Sequence, residues 1–292
     1  VGQAKAYLRP TTIAEAVQLL SAANGAARPL AGGTDIIVDV REGRRAVDVL
    51  VDVKAIPELM TLDFHPSRGL RVGAAVPCYR LAEDPDIRRA YPGLVDAASL
   101  IGGVQIQSRA SVGGNLCTSS PAADTAPALI ALGATGVIAG PAGERRVPIE
   151  RFFVGPRRNV LGDGELLVAI ELPPPTPGAG SAYLRFIPRN EMDIAVVGAG
   201  VWLRLDGEII ADARVALGAV APTPLLVAAA AEALIGQPAT PDRFEAAATA
   251  ARTAAAPITD MRGSERQRRH LAAVLTRRAI ERAVERARES QS

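Results

Sequence analysis

Cysteine and histidine are scarce. Cys78, Cys117, His65 and His270 are all that occur in 292 residues. A disulfide scaffold is excluded, few nitrogen ligands remain for a metal, and the thiolate set of an ordinary iron–sulfur cluster is missing from this chain. Charge of one sign is scarce too, since 33 Lys and Arg against 31 Asp and Glu leave a net +2. So mild a balance provides no global field for nucleic acid or an anionic membrane. No run approaches about 18 uninterrupted apolar residues, so no membrane span is expected. The first residues, Val1 to Tyr7, lack the apolar core of a signal peptide. A soluble, cytoplasmic protein is the expectation. What is present is ample apolar matter, 48% of residues against 22% charged. The length suits about two domains of roughly 150 residues.

Thr12-Ile13-Ala14-Glu15 reads as a capping box opening a helix that runs to about Ala23. Extended segments are expected at 28–31, 49–52, 70–74, 135–139 and 166–172, and helical stretches at 80–90, 93–101 and 124–132. Pro173-Pro174-Pro175-Thr176-Pro177-Gly178 can continue neither sheet nor helix and reads as a stiff connector. Beyond it, Asp206-Gly207 lies between two strand-like runs as a hairpin signal. A last helix over about 264–288 places Leu271, Leu275 and Ala279 on one face. The expected division is a mixed α+β domain over 1–175, in two parts of about 1–55 and 56–175, and a strand-then-helix domain over 178–292.

Two glycine-rich segments, Gly32-Gly33-Thr34 and Gly113-Gly114-Asn115, carry the most chemistry. Glycine admits a ligand close to the backbone, and successive N–H groups form an anion-binding nest. Thr34, Ser111 and Asn115 add short side chains able to bond phosphate or ribose oxygens. Both segments read as loops that follow strands, although either alone reads first as an ordinary tight turn. Neither matches G-x-G-x-x-G or the P-loop. Gly198-Ala199-Gly200 lies in a strand-like run and reads as close packing.

Taken together, Ala31-Gly32-Gly33-Thr34-Asp35 and the stretch Ser108-Arg109-Ala110-Ser111-Val112-Gly113-Gly114-Asn115-Leu116-Cys117-Thr118, continuing through Ser119-Ser120-Pro121-Ala122-Ala123-Asp124-Thr125-Ala126-Pro127, resemble the FAD-binding medium subunit of molybdenum hydroxylases of the xanthine and carbon monoxide dehydrogenase type. Gly164-Glu165-Leu166-Leu167 and the segment Arg185-Phe186-Ile187-Pro188-Arg189-Asn190-Glu191-Met192-Asp193-Ile194-Ala195 extend the resemblance over nearly the whole chain. It implies a two-part α+β FAD-binding domain like that of vanillyl-alcohol-oxidase-type flavoproteins. A C-terminal domain with a small antiparallel sheet and helices would follow.

By that resemblance Pro29, Leu30, Ala31, Gly32, Gly33, Thr34 and Asp35 would cradle the FAD pyrophosphate from one side, and Ser111, Val112, Gly113, Gly114 and Asn115 from the other. Asp124 would accept from ribityl or ribose hydroxyls, or else cap the helix that follows it. Thr118 would lie close to the flavin. Ile101 stands where relatives pack a phenylalanine, and Leu167 and Arg185 match positions near the cofactor. Asp193 and Ile194 match a segment over the isoalloxazine ring; Ile194, where relatives acting on carbon monoxide show an aromatic residue, favours an organic substrate. Cys78 and Cys117 read as small buried hydrophobes. The arginines of 266–288, interspersed with Glu281, Glu285 and Glu289, read as a solvated helix face.

The implied function is electron transfer. Electrons would come from [2Fe–2S] clusters of a small partner subunit, fed by a large molybdopterin-binding subunit, through FAD to an external acceptor. A dimer of heterotrimers is implied. A stand-alone FAD oxidase or dehydrogenase of the same fold is the alternative, and an assembly protein that has lost electron transfer is a third reading.

Overall fold

The computed structural model describes residues 4–291, so Val1, Gly2 and Gln3 of the start read for a signal peptide, and the outermost positions of both expected domains, lie outside the described residues. The chain opens with β1 (Ala6–Leu8), α1 (Ile13–Ala22), β2 (Ala27–Leu30), α2 (Ile36–Arg41) and β3 (Val49–Asp52). The strands form a parallel sheet in the order β1–β3–β2, pairing Leu30 with Asp52 at its C-terminal edge. Thr12 Oγ1 accepts from the Glu15 amide at 3.2 Å, while the Glu15 carboxylate reaches back to the Thr11 amide at 2.9 Å, one residue earlier than the usual box. α1 then lays Ala16 and Leu20 into one cluster with Val51, Val168 and Ala169, tying the small sheet to the larger one.

Next come α3 (Pro57–Met60), β4 (Leu62–His65), β5 (Gly69–Gly73), α4 (Cys78–Glu83), α5 (Pro85–Ala90), α6 (Pro92–Ala98), α7 (Val104–Gln107), α8 (Val112–Thr118) and α9 (Thr125–Ala131). The helical stretch expected over 80–90 is broken at Asp84. The following proline disfavours a helical Asp84, whose carboxylate instead caps α5 through the amides of Asp86 and Ile87, both at 3.0 Å. β6 (Thr135–Gly140), β7 (Gly143–Pro148), β8 (Phe153–Gly155), β9 (Arg158–Asn159) and β10 (Leu166–Leu172) follow. The larger sheet is antiparallel, in the order β4–β5–β10–β6–β7. A helical cluster around Leu94, Leu116 and Leu129 covers its inner face.

After the proline connector, β11 (Ala179–Phe186), β12 (Val197–Asp206), β13 (Ile209–Gly218) and β14 (Leu225–Leu226) form a second antiparallel sheet in sequence order. Asp206 pairs with Ile209 across the turn at Gly207, as the hairpin signal predicts. α10 (Ala228–Glu232), α11 (Pro241–Ala254) and α12 (Glu265–Glu289) complete the chain. This sheet is buried on both faces. On one, a Cβ at Gly180 would lie 2.0 Å from the Ala283 carbonyl oxygen of α12; on the other, a Cβ at Gly200 would lie 2.6 Å from the Pro127 carbonyl of α9. At Gly198 and Gly200 the close packing read from the sequence is present, against the Tyr183 ring and α9 respectively. The α+β architecture is the one expected.

One reading of α12 is corrected. Arg268 is not solvated: it is 4% exposed and donates to the carbonyl oxygens of Val196 (2.9 Å) and Ala219 (3.1 Å) and to Asp260 (2.7 Å). Arg286 grips Asp96 of α6 through two bonds of 2.6 and 2.9 Å. Interspersed acids mark a helix as exposed only on average, and these two arginines point inward because carbonyls and a carboxylate await them.

Candidate functional site

The parallel sheet ends at Leu30, and the chain turns outward there. Gly33 has φ +80°, a left-handed conformation that favours glycine. Gly32 lies so close to the segment before α8 that a Cβ would fall 1.9 Å from the Arg109 carbonyl oxygen. The two glycine segments, far apart in sequence, therefore meet. Between them and the 157–167 region opens a cleft of about 640 Å³.

The second segment is not a loop. Gly113 and Gly114 lie in the first turn of α8, entered from α7 rather than from a strand, with Ser111 as the N-cap whose Oγ accepts from the Gly114 amide at 3.1 Å. Glycine's low helix propensity hides this in the sequence; packing overrides it, because a Cβ at Gly113 would lie 2.4 Å from the Ala74 carbonyl oxygen. Gly114 differs: a Cβ there would meet only the Ser111 Oγ, at 3.0 Å.

Pro29, Ala31, Gly32, Gly33, Thr34, Asp35, Ile101, Ser111, Gly113, Gly114, Asn115, Thr118 and Leu167 line the cleft. Leu30 and Val112 do not; both are buried in the core. Asp124 and Arg185 sit off the cleft wall in a buried cluster. There Arg185 Nη1 donates to Asp124 Oδ2 at 2.7 Å and the Tyr183 hydroxyl to Asp124 Oδ1 at 2.8 Å. The Asp124 side chain does not cap α9. Burial pushes its carboxyl up to about 6, against the opposing pull of Arg185 and Tyr183. Asp193 is tied into its own turn by the Ile194 amide (2.8 Å) and Arg189 (3.2 Å), and Ile194 is exposed. That turn leans on α7 through Gln105 and the Met192 sulfur, 3.5 Å apart.

Asn115 Oδ1 receives the Thr125 amide (3.3 Å) and hydroxyl (2.6 Å), which leaves Nδ2 as its remaining donor end. Thr118 Oγ1 donates to the Gly114 carbonyl at 3.0 Å and approaches Asp35 at 3.4 Å. Burial raises the Asp35 carboxyl, with Asp39 adding to the rise and Thr118 and Arg157 opposing it. Among the described residues, no acceptor meets the amides of Gly32, Gly33, Thr34 and Asp35. A ready row of donors thus borders a cleft whose opposite flank, at Gly114, carries no side chain. Such a site accepts a phosphate-bearing ligand.

The sequence reading missed Arg28, Arg45 and Arg157 on the cleft wall. Arg157 announces itself only in the structure, through φ +58° and an ion pair with Asp39 of α2. Cys117 also lines the cleft, its thiol pushed up to about 12 by burial, which leaves it a packing residue at neutral pH.

Residues 3–175 match the family described as FAD binding domain in molybdopterin dehydrogenase, and 182–283 match the CO dehydrogenase flavoprotein C-terminal domain. The chain belongs to this FAD-binding family. The putative xanthine dehydrogenase FAD-binding subunit XdhB of Escherichia coli (strain K12) is 35% identical over 95% of each chain. The carbon monoxide dehydrogenase medium chain of Hydrogenophaga pseudoflava is 32% identical over 94% of this chain and 95% of its own. A solved carbon monoxide dehydrogenase from the same organism, lacking the Mo-pyranopterin moiety, superimposes with a TM-score of 0.94 at 32% identity, covering 98% of this chain and 99% of that one. The protein is an FAD-binding oxidoreductase component. The unpaired amides and the open flank at Gly114 fit FAD, whose pyrophosphate needs donors on more than one side. Among the described residues no helix is long and apolar enough to cross a membrane.

Proposed function

We propose that the cleft holds FAD and that this chain is the electron-transfer medium subunit of a cytoplasmic molybdenum hydroxylase. A large molybdopterin subunit and a small [2Fe–2S] subunit would complete a heterotrimer that pairs into a dimer. The observation that carries the reading is the meeting of the two glycine segments at Gly32 and Arg109. It sets the unpaired amides of 32–35 opposite the bare flank of Gly114. FAD, when bound, would supply the redox chemistry that links the partner's clusters to an external acceptor.

The chain's own residues bind and orient. Gly32 to Asp35 offer amides to the pyrophosphate, Asn115 offers Nδ2, and Ser111 keeps the first turn of α8 in place. Thr118, Ile101 and Leu167 also line the cleft. Two cysteines and two histidines in the whole chain support placing molybdenum and iron on other subunits.

Purified full-length chain, once denatured, should release FAD and not FMN. The same loaded chain should be reduced by dithionite but by no organic substrate that reduces the complete complex. Reduction of the metal-free chain by a small organic molecule at catalytic rates would replace this reading with the stand-alone oxidase.

A further inference from the structure

A lysine that the cleft wall does not include stands directly behind the first glycine segment. Lys54, one residue beyond the residue that follows β3, turns its ammonium back over the sheet edge. Nζ donates to the Ala31 carbonyl oxygen at 2.9 Å and to Asp52 Oδ1 at 2.6 Å. Asp52 is 3% exposed, and its Oδ1 also receives the Lys54 amide at 3.1 Å. Its other oxygen receives the Tyr7 hydroxyl, from β1 at the far side of the sheet. The Tyr7 hydroxyl from an outer strand and the Lys54 ammonium from just past the central one thus converge on a buried carboxylate. That carboxylate in turn holds the lysine.

The bond to Ala31 is the informative one. A trans peptide points its carbonyl and its N–H in opposite directions. Fixing the Ala31 oxygen toward Lys54 therefore fixes the Gly32 N–H away from it, and Gly32 begins the run of unpaired amides that borders the cleft. Gly32 cannot relax sideways, because the Arg109 carbonyl stands where its Cβ would be. Crevices outside the carboxyl ends of parallel strands are where ligands of such sheets bind, and this clamp sits on that edge.

We propose that Lys54, held by Asp52 and Tyr7, is a positioning residue that sets the Ala31–Gly32 peptide for the cofactor's pyrophosphate without touching the cofactor. The inference rests on the assignment of FAD to the cleft. With the ammonium removed, the Ala31 carbonyl loses its partner and the peptide gains freedom to rotate, so the donors must be ordered again each time the ligand binds.

The test compares the full chain with its Lys54→Met, Lys54→Arg, Tyr7→Phe and Gly114→Val variants. FAD affinity is read by titration of the apo form, and amide hydrogen exchange is read over residues 27–36. Lys54→Met should weaken FAD about ten- to a hundredfold, the scale of one charge-assisted hydrogen bond. It should also speed exchange over 27–36 while leaving the rest of the sheet protected. Lys54→Arg, which can still donate to both oxygens, should recover most of the affinity. Tyr7→Phe, at a half-exposed position that leaves the lysine in place, should show the same pattern at a few-fold; it decides the matter should Lys54→Met fail to fold. If Gly114→Val binds FAD as tightly as the natural chain, the cleft assignment falls and the clamp with it. If Gly114→Val loses FAD while Lys54→Met and Tyr7→Phe keep natural affinity and exchange, the clamp alone is overturned.

Discussion

Gly114→Val is expected to give a folded chain that no longer retains FAD, whereas Gly32→Ala should cost the fold itself. A Cβ at Gly114 meets only the Ser111 Oγ at 3.0 Å, and the residue lies in a helix, where a side chain costs the backbone nothing. On the proposed placement of FAD, valine at that point fills the part of the cleft assigned to the pyrophosphate. A loss of at least about a hundredfold in affinity, roughly 3 kcal/mol, follows, with the apo melting temperature within a few degrees of the natural chain. At Gly32 the added methyl would lie 1.9 Å from a carbonyl oxygen and 2.5 Å from its carbon. No flexible side chain stands there to move aside. One of the two segments must shift, at about 3 kcal/mol or more, the upper end of overpacking penalties. Flavin titration and thermal melting on the same two proteins separate the effects, and full flavin occupancy in Gly114→Val would remove this cleft as the FAD site.

Asp124→Ala should lower the stability of the apo chain by about 3–5 kcal/mol, read from the denaturant midpoint. Its mechanism is burial. The side chains of Arg185 and Asp124 are 5% and 11% exposed, and Arg185 Nε already lacks a partner. Removing the carboxylate strands the guanidinium and deprives the Tyr183 hydroxyl of its acceptor. Replacing both members, as in Asp124→Leu with Arg185→Met, should recover much of the loss, because matched apolar groups carry no desolvation cost. The sign of the pH dependence follows from the raised carboxyl. Its folded value, about 6, lies above an unfolded value near 3.9. The pH-dependent part of the stability that this group contributes is therefore fully present below about 3.9 and lost as pH rises through about 6, while the pairing with Arg185 and Tyr183 remains. A natural chain whose stability advantage over Asp124→Asn grows as pH rises from 4 to 7 would contradict that ordering.

Much of the architecture is legible because local signals there agree with the tertiary environment. The hairpin at Asp206-Gly207, the strand over Leu166–Leu172 and the cap at Thr12 are each specified by a few adjacent residues. What escapes the sequence is what depends on a distant partner. Gly113 reads as a loop residue because its helix is stabilised by contact with Ala74, which no local pattern reports. Lys54 goes unread in the sequence, since its acceptor at Ala31 is 23 residues away. Arg268 and Arg286 look solvated for the same reason: the Val196 carbonyl and the Asp96 carboxylate that receive them lie 72 and 190 residues off in sequence. Within the cleft, the glycine segments themselves were readable, and the arginines around them were not.

The bare backbone of β12 has a consequence for how this chain can be divided. Gly200 presses on Pro127, Gly93 donates to the Ser181 hydroxyl at 3.1 Å, and Arg286 holds Asp96, so the seam between the halves is sewn at several points. Trp202 and Ala216, from the second half, pack in the same core as Leu116 and Leu129, from the first. The proline connector therefore joins two halves that already share a core. A protease that nicked it would leave two fragments still joined without a covalent link. A chimera that exchanged only the second half with a relative would inherit a mismatched seam unless the partners of Gly200 and Arg286 travelled with it.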